Sequence, residues 1–217
     1  MGIDFSASRQ SYEKDELIEQ NTPNTPYPLF DQWIKDALAE KVKEPYAMSV
    51  ATCGADNRPS VRTVLMREVV ERGDEVFLVF YTNYDSDKGQ DLAQNPHAEC
   101  LFFWADMERQ VRISGAVQKL DEELSDTYFA SRPIDSQLAA WVSRPQSGVV
   151  DSREVMEGDF VNYQTQFGTH VPRPEFWGGY LLIADKIEFW QGRANRMHDR
   201  IVYKKENEKW VRERILP

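Results

Sequence analysis

The residues best suited to chemistry stand near the C-terminal end, where residues 187–200 read I-E-F-W-Q-G-R-A-N-R-M-H-D-R. Arg196, His198 and Arg200 fall at i, i+2 and i+4, so an extended chain puts all three on one face. Cationic side chains on one face repel unless something negative lies between them. Same-face neighbours on a strand are about 7 Å apart, so the outer pair spans roughly 13 Å. One phosphate cannot bridge that gap, whereas one wide ligand or two ligands side by side can. Trp190, just upstream, is placed to cover a flat ring. The plainer alternative is an exposed strand with solvated charges.

Three further places put cations where they are costly. Arg62 and Arg67 interrupt the apolar run 60–70, and a buried unpaired guanidinium needs a carboxylate or a ligand anion. Their offset of five puts them on opposite faces of a regular strand. They serve one site only through a bulge, or if two subunits share sites. Lys88 lies in the first turn of a helix expected over 87–94 and capped by Ser86. The helix dipole disfavours a cation there, unless lysine and helix N-terminus hold the same phosphate. Tyr128 and Arg132 are four apart on one helix face, and Ser136 is expected to cap the next helix. Convergence of the three suits a phosphate ester, at about 1.5–3 kcal/mol for each charge-assisted bond. An ordinary ion pair, a solvated lysine or simple helix capping is the alternative in each case.

The elements that must position these groups follow from periodicity. Residues 28–42 form an amphipathic helix, with Leu29, Phe30, Trp33, Ile34, Ala37 and Leu38 at three-to-four spacing. Strands are expected over 47–53, 60–70, 76–82, 97–104 and 108–120, joined by short turns, which points to a small closed barrel. Helices are expected over 121–131, 136–142 and 151–167, and strands over 180–183, 202–205 and 210–214. Residues 1–27 carry no periodic pattern and read as a mobile arm, ahead of a single domain over 28–217. A net charge of -10 argues against a nucleic-acid partner and makes local cation clusters more informative. Three histidines and two scattered cysteines, Cys53 and Cys100, give no expectation of a metal site. With no apolar run of membrane-spanning length and no secretory signal, a cytoplasmic protein without a membrane partner is expected.

Seven segments, in order, carry a resemblance: R-T-V-L-M-R at 62–67, F-Y-T-N at 80–83, E-R-Q-V at 108–111, S-R-P-I-D-S-Q at 131–137, W-V-S at 141–143, F-W-G-G at 176–179, and I-E-F-W-Q-G with R-M-H-D-R at the end. Together they resemble the pyridoxamine 5'-phosphate oxidase family, from about Arg9 to Pro217. The resemblance implies a mainly β fold with peripheral helices, an antiparallel FMN-binding split β-barrel of about six strands. It also implies a homodimer with FMN at the interface. FMN contacts are implied for Arg62, Thr63, Val64, Leu65, Met66, Arg67, Tyr81, Thr82, Lys88, Gln110, Gln146, Ser147, Trp190 and Arg200. The substrate phosphate is implied to lie on Arg67, Tyr128, Arg132 and Ser136, with Arg196 and His198 against the pyridine ring as the catalytic candidates. Arg9 and Tyr12 would close over the substrate from the arm. The implied reaction oxidises pyridoxamine or pyridoxine 5'-phosphate to pyridoxal 5'-phosphate, with oxygen as acceptor giving hydrogen peroxide.

Three positions depart from the family pattern. Arg67 stands where lysine is usual, Asp87 where arginine is common, and Pro145 reads as an insertion that loosens the placement of Gln146 and Ser147. Two alternatives accompany the oxidase reading. One is a related split-barrel flavin oxidase acting on another aromatic metabolite such as a phenazine precursor, against which Tyr128, Arg132 and Ser136 argue. The other is a non-enzymatic binder of FMN or pyridoxal phosphate.

Overall fold

The computed structural model describes residues 2–4, 6 and 11–217. Among these, nine strands form one antiparallel sheet and five α-helices pack around it. Strict alternation drives the strands: β1 (Ala47–Cys53) turns Met48, Val50 and Thr52 inward, and β6 (Arg109–Lys119) buries every second residue from Arg109 to Val117. The inward residues meet Phe30 and Trp33 of helix α1 (Pro26–Ala39) in the main core.

The sheet order is β2-β1-β5-β6-β7-β4-β3, where β2 is Pro59–Leu65, β3 Glu68–Arg72, β4 Glu75–Asn83, β5 His97–Trp104 and β7 Trp177–Gln191. Strands β8 (Asp199–Glu206) and β9 (Lys209–Arg214) continue from the far end of β7. Strand β7 is the spine. Along one edge it pairs with β6, and along the other first with β4 and then with β8. The change of partner falls at a bulge, where Ser114 faces Lys186 and Gly115 faces Ala184, leaving Asp185 unopposed. A Cβ at Gly115 would lie 1.9 Å from the Ile183 carbonyl oxygen. Only glycine permits that close approach.

Several expectations are corrected. The closed barrel expected from periodicity gives way to the split sheet that the resemblance implied, running from β2 to β3 with β8 and β9 branching from β7, and it holds nine strands where about six were expected. The single strand expected over 60–70 breaks at Met66–Arg67. There the Met66 N–H still reaches the Tyr46 carbonyl, while the Arg67 N–H reaches the Val79 carbonyl, so the chain leaves β1 and joins β4. Arg196 and His198 do not belong to a strand. Ala194–Arg196 is a 3-10 turn in which Asn195 (φ 57) and Arg196 (φ 62) are left-handed, and β8 begins only at Asp199.

Helix α2 (Asp87–Gln94) starts as expected at the Ser86 cap. Helix α3 (Glu122–Ser131) is followed by α4 (Ile134–Val142), capped by Pro133, so Ser136 lies in the first turn and not at the cap. Helix α5 (Arg153–Phe167) packs on α4. A second apolar cluster of Phe129, Leu138, Phe176 and Trp177 joins α3 and α4 to the start of β7. The stretch read as an arm is docked from residue 12 onward: Leu17 is buried in the main core and Asp15 pairs with Arg109. No helix among the described residues is long and apolar enough to cross a membrane.

Candidate active site

The kink at Met66–Arg67 resolves the opposite-face problem within one chain. Arg62 and Arg67 both line a cavity of about 450 Å³, together with Thr63, Val64, Leu65, Tyr81, Thr82, Lys88, Tyr128, Arg132 and Gln146. Asn83 and Trp177, for which no site role was expected, line it as well. Among the described residues, four cations line this space and no aspartate or glutamate does.

The cations fall into two couples. Lys88 turns inward from α2 and donates to Thr82 Oγ1 (2.8 Å), Ser86 Oγ (2.9 Å) and Gln146 Oε1 (3.3 Å), all neutral acceptors. Burial first, and then the nearby Arg62 charge, push its pKa down to about 8, while Asp87 opposes them. Asp87 itself is exposed, so its charge acts through solvent. Arg62 is braced from behind: its Nη atoms donate to Thr52 Oγ1 (2.7 Å) and Ser60 Oγ (2.6 Å), and Asp91 stands 3.9 Å away. The carboxylate partner allowed by the sequence therefore exists for Arg62, though at a distance.

Arg132 and Arg67 form the second couple. The Arg132 guanidinium lies 4.6 Å from the Trp177 ring and 5.6 Å from that of Phe129. Its Nη1 is buried with no hydrogen-bond partner among the described residues. Such an orphan costs about 1–3 kcal/mol, which a bound anion would relieve. Burial lowers the Arg132 pKa and Arg67 lowers it further, with Tyr128 opposing. Tyr128 stacks on Tyr81 at 3.8 Å, and Arg67 lies 6.0 Å from the Tyr128 ring.

A second cluster sits at the other end of β7. Trp190 pairs across the sheet with Gln110 on one side and Arg200 on the other. The His198 ring lies 4.8 Å from Trp190 and 5.7 Å from Tyr12. Tyr12 meets Trp190 edge-on at 5.8 Å. His198 Nδ1 accepts the Arg193 backbone N–H at 3.1 Å, which leaves Nε2 as the protonated nitrogen of the neutral ring. Burial and Arg196 lower its pKa, and Asp199 opposes them. Arg196 is exposed. Arg200 is engaged within the chain, with Nε and Nη2 on Glu188 Oε1 (2.9 and 2.7 Å) and Nη1 on the Leu216 carbonyl (2.9 Å). The single face expected for Arg196, His198 and Arg200 is thus replaced by a turn followed by a strand.

Some expected site residues do not line the cavity. Met66 is a core side chain, and its amide is taken by Tyr46. Ser136 and Ser147 lie outside the lining, as do Gln110, Trp190 and Arg200 of the second cluster. Arg9 lies outside the described residues. Trp177, which the sequence reading passed over, is signalled by the F-W-G-G segment. Arg193 was not singled out in the sequence, and its contact with His198 is made by a backbone amide.

The family profile described as "Pyridoxamine 5'-phosphate oxidase" matches residues 34–167. The one described as "Pyridoxine 5'-phosphate oxidase C-terminal dimerisation region" matches 177–217. The pyridoxine/pyridoxamine 5'-phosphate oxidase of Psychrobacter cryohalolentis is 56% identical, with all of both chains covered. That of Acinetobacter baumannii is 50% identical over 99% of this chain and 97% of its own. Among solved structures, PhzG from Burkholderia lata, in complex with tetrahydrophenazine-1-carboxylic acid, superposes with a TM-score of 0.85 at 28% identity, over 94% of this chain and 98% of that one. An FMN-binding protein from Nostoc punctiforme shares the fold at a TM-score of 0.68 and 19% identity, over 87% of this chain and 97% of that one. By its full-length similarity to these oxidases and its match to both profiles, the chain belongs to the pyridoxamine 5'-phosphate oxidase family.

Proposed function

We propose that this protein oxidises pyridoxine and pyridoxamine 5'-phosphate to pyridoxal 5'-phosphate, with FMN as cofactor and oxygen as final acceptor giving hydrogen peroxide. It works as a homodimer, in the cytoplasm. The observation that carries this reading is the acid-free cavity with two couples of cations, one of which holds the orphaned Nη1 of Arg132. Two couples suit two phosphates. Arg62 and Lys88, with Gln146 and Thr82, suit the phosphate of FMN. Arg67 and Arg132, with Tyr128, suit that of the substrate. The chemistry of these donors fits FMN, since Lys88 is buried against neutral acceptors with charge to spare.

FMN supplies the two-electron acceptor for the hydride leaving C4'. The chain supplies position. Arg67 and Arg132 fix the phosphate end of the substrate, which orients the ring at its other end. Arg196 and His198 lie against that ring. With Nδ1 occupied by the Arg193 amide, the free edge of His198 is a donor, suited to holding a ring oxygen or nitrogen and not to removing a proton.

The distance along β7 supports a shared site. Tyr81 of the cavity pairs with Gly179, and Gln110 pairs with Trp190. Eleven residues at about 3.3 Å each give about 36 Å along the strand, so the two clusters of one chain stand far apart along the spine. A second copy brings its Trp190, Arg196 and His198 to the cavity, in keeping with the dimerisation region matched at 177–217.

The test compares pyridoxine 5'-phosphate with pyridoxine on the FMN-loaded protein. Rapid aldehyde formation from the ester and little from the free alcohol is the expected result. Equal rates would remove the phosphate from the reading, and binding without turnover would make the protein a carrier.

A further inference from the structure

The turn that carries Arg196 and His198 is tied at both ends to a remote part of the chain. Asp199, next to His198, is only 16% exposed. Its carboxylate meets three segments: it accepts the Leu17 N–H at 3.1 Å and Arg214 Nη1 of β9 at 2.7 Å, and it forms a longer ion pair with Arg193 Nε at 3.7 Å. Arg193, whose amide fixes His198 Nδ1, also donates Nη1 to the Asp15 carbonyl (3.1 Å) and to Glu16 Oε2 (3.3 Å). Arg214 closes the ring by pairing with Glu19 and donating Nη2 to the Leu17 carbonyl at 2.7 Å.

Residues 15–19, the turn 193–199 and β9 are therefore one charge network with His198 at its edge. The turn between the two ties contains two left-handed non-glycine residues, Asn195 and Arg196. For Arg196 this costs roughly 1–2 kcal/mol and for Asn195 less, a strain that the ties at both ends of the turn help to hold.

We propose that Asp199 is a positioning residue for the oxidation. Docking of residues 15–19 on Asp199, Arg193 and Arg214 sets the ring of His198. The chain before α1 is then part of the working site through its anchor as well as through Tyr12. This rests on the reading above that His198 faces the substrate. Asparagine at 199 keeps one acceptor for the Leu17 N–H, but it loses the charge that holds two arginines and turns an amide donor toward one of them. The charged and titratable groups around His198 are Tyr12 from the arm, Arg193 and Arg196 from the turn, and Asp199 from β8.

The test uses Asp199→Asn, Glu19→Gln and the double variant, loaded with FMN. Asp199→Asn is expected to lower kcat at least about tenfold, with KM for pyridoxine 5'-phosphate and FMN affinity within about threefold, because the phosphates are held elsewhere. Glu19→Gln should lower kcat in the same direction by less, and the double variant should lose no more than Asp199→Asn alone, since both break one network. The second readout is the ring NMR signal of His198, assigned by removing the other two histidines as His97→Gln and His170→Gln. The unsubstituted protein should show a single neutral tautomer with the proton on Nε2, and Asp199→Asn a mixture. An Asp199→Asn protein whose kcat stays within about twofold, or whose His198 keeps the single tautomer, overturns the proposal. Absence of turnover in the unsubstituted protein would remove the oxidase reading instead, and the tautomer comparison would still decide the role of Asp199.

Discussion

At the scale of residues, the site is a set of cations held ready at a cost in folding free energy. Lys88 is the clearest case. Its pKa is pushed from 10.5 down to about 8 by burial, so the folded state sheds this proton before the unfolded state does. The penalty on the folded protein is fully present below pH 8 and fades as pH rises toward 10.5. A bound phosphate, already doubly charged by pH 7, favours the protonated lysine. FMN binding should therefore take up a proton above pH 8, and its affinity should fall between pH 8 and 10 in a fluorescence titration. Lys88→Met should bind FMN more weakly at pH 7 and lose most of that pH dependence. Arg132 makes a matching prediction on the substrate side. Each charge-assisted bond is worth about 1.5–3 kcal/mol, so Arg132→Ala should raise KM for the phosphate ester roughly 10- to 150-fold. Arg132→Lys should recover only part of this, because a lysine cannot both stack on Trp177 and present a fork.

At the scale of elements, the bends matter more than the strands. The apolar runs at 47–53 and 97–104 located β1 and β5 to the residue, and Ser86 marked the start of α2. A bulge between Arg62 and Arg67 was one of two readings left open, but neither the place of that break nor the bulge in β7 could be read from the pattern. The break at Met66–Arg67 falls at the charged pair Arg67-Glu68 and arises because the chain changes hydrogen-bonding partner from Tyr46 to Val79. The bulge opposite Gly115 arises because β7 must bend from β4 to β8. Neither cause is local, so local periodicity carries no sign of them. The turn at 194–196 was misread for the same reason, since alternating Arg and His mimics a strand face. Gly115→Ala tests the bulge: a Cβ 1.9 Å from a carbonyl oxygen forces backbone to move, and the denaturation midpoint should drop by the equivalent of at least about 1–3 kcal/mol.

At the scale of the whole molecule, the cavity and the cluster around His198 lie toward opposite ends of one strand, and the proposed site requires two chains to unite them. The motifs singled out residues in both clusters, but only the register of β7 shows how far apart along the strand these stand. Mixing two impaired variants tests the sharing. If Arg132→Ala chains are dissociated and reassociated with an equal amount of Arg196→Ala chains, half of the dimers are mixed, and each mixed dimer holds one intact site. Activity should recover to about one quarter of that of the unsubstituted protein. A site built within one chain would show no recovery.

The measurement that bears most directly on the central claim is an anaerobic titration of the FMN-loaded protein with pyridoxine 5'-phosphate, followed in the visible flavin band. The account predicts bleaching as the ester is added, pyridoxal 5'-phosphate in the product, and return of the band when air is admitted. A spectral shift without bleaching would contradict it, because the cavity would then bind the phosphate ester without oxidising it.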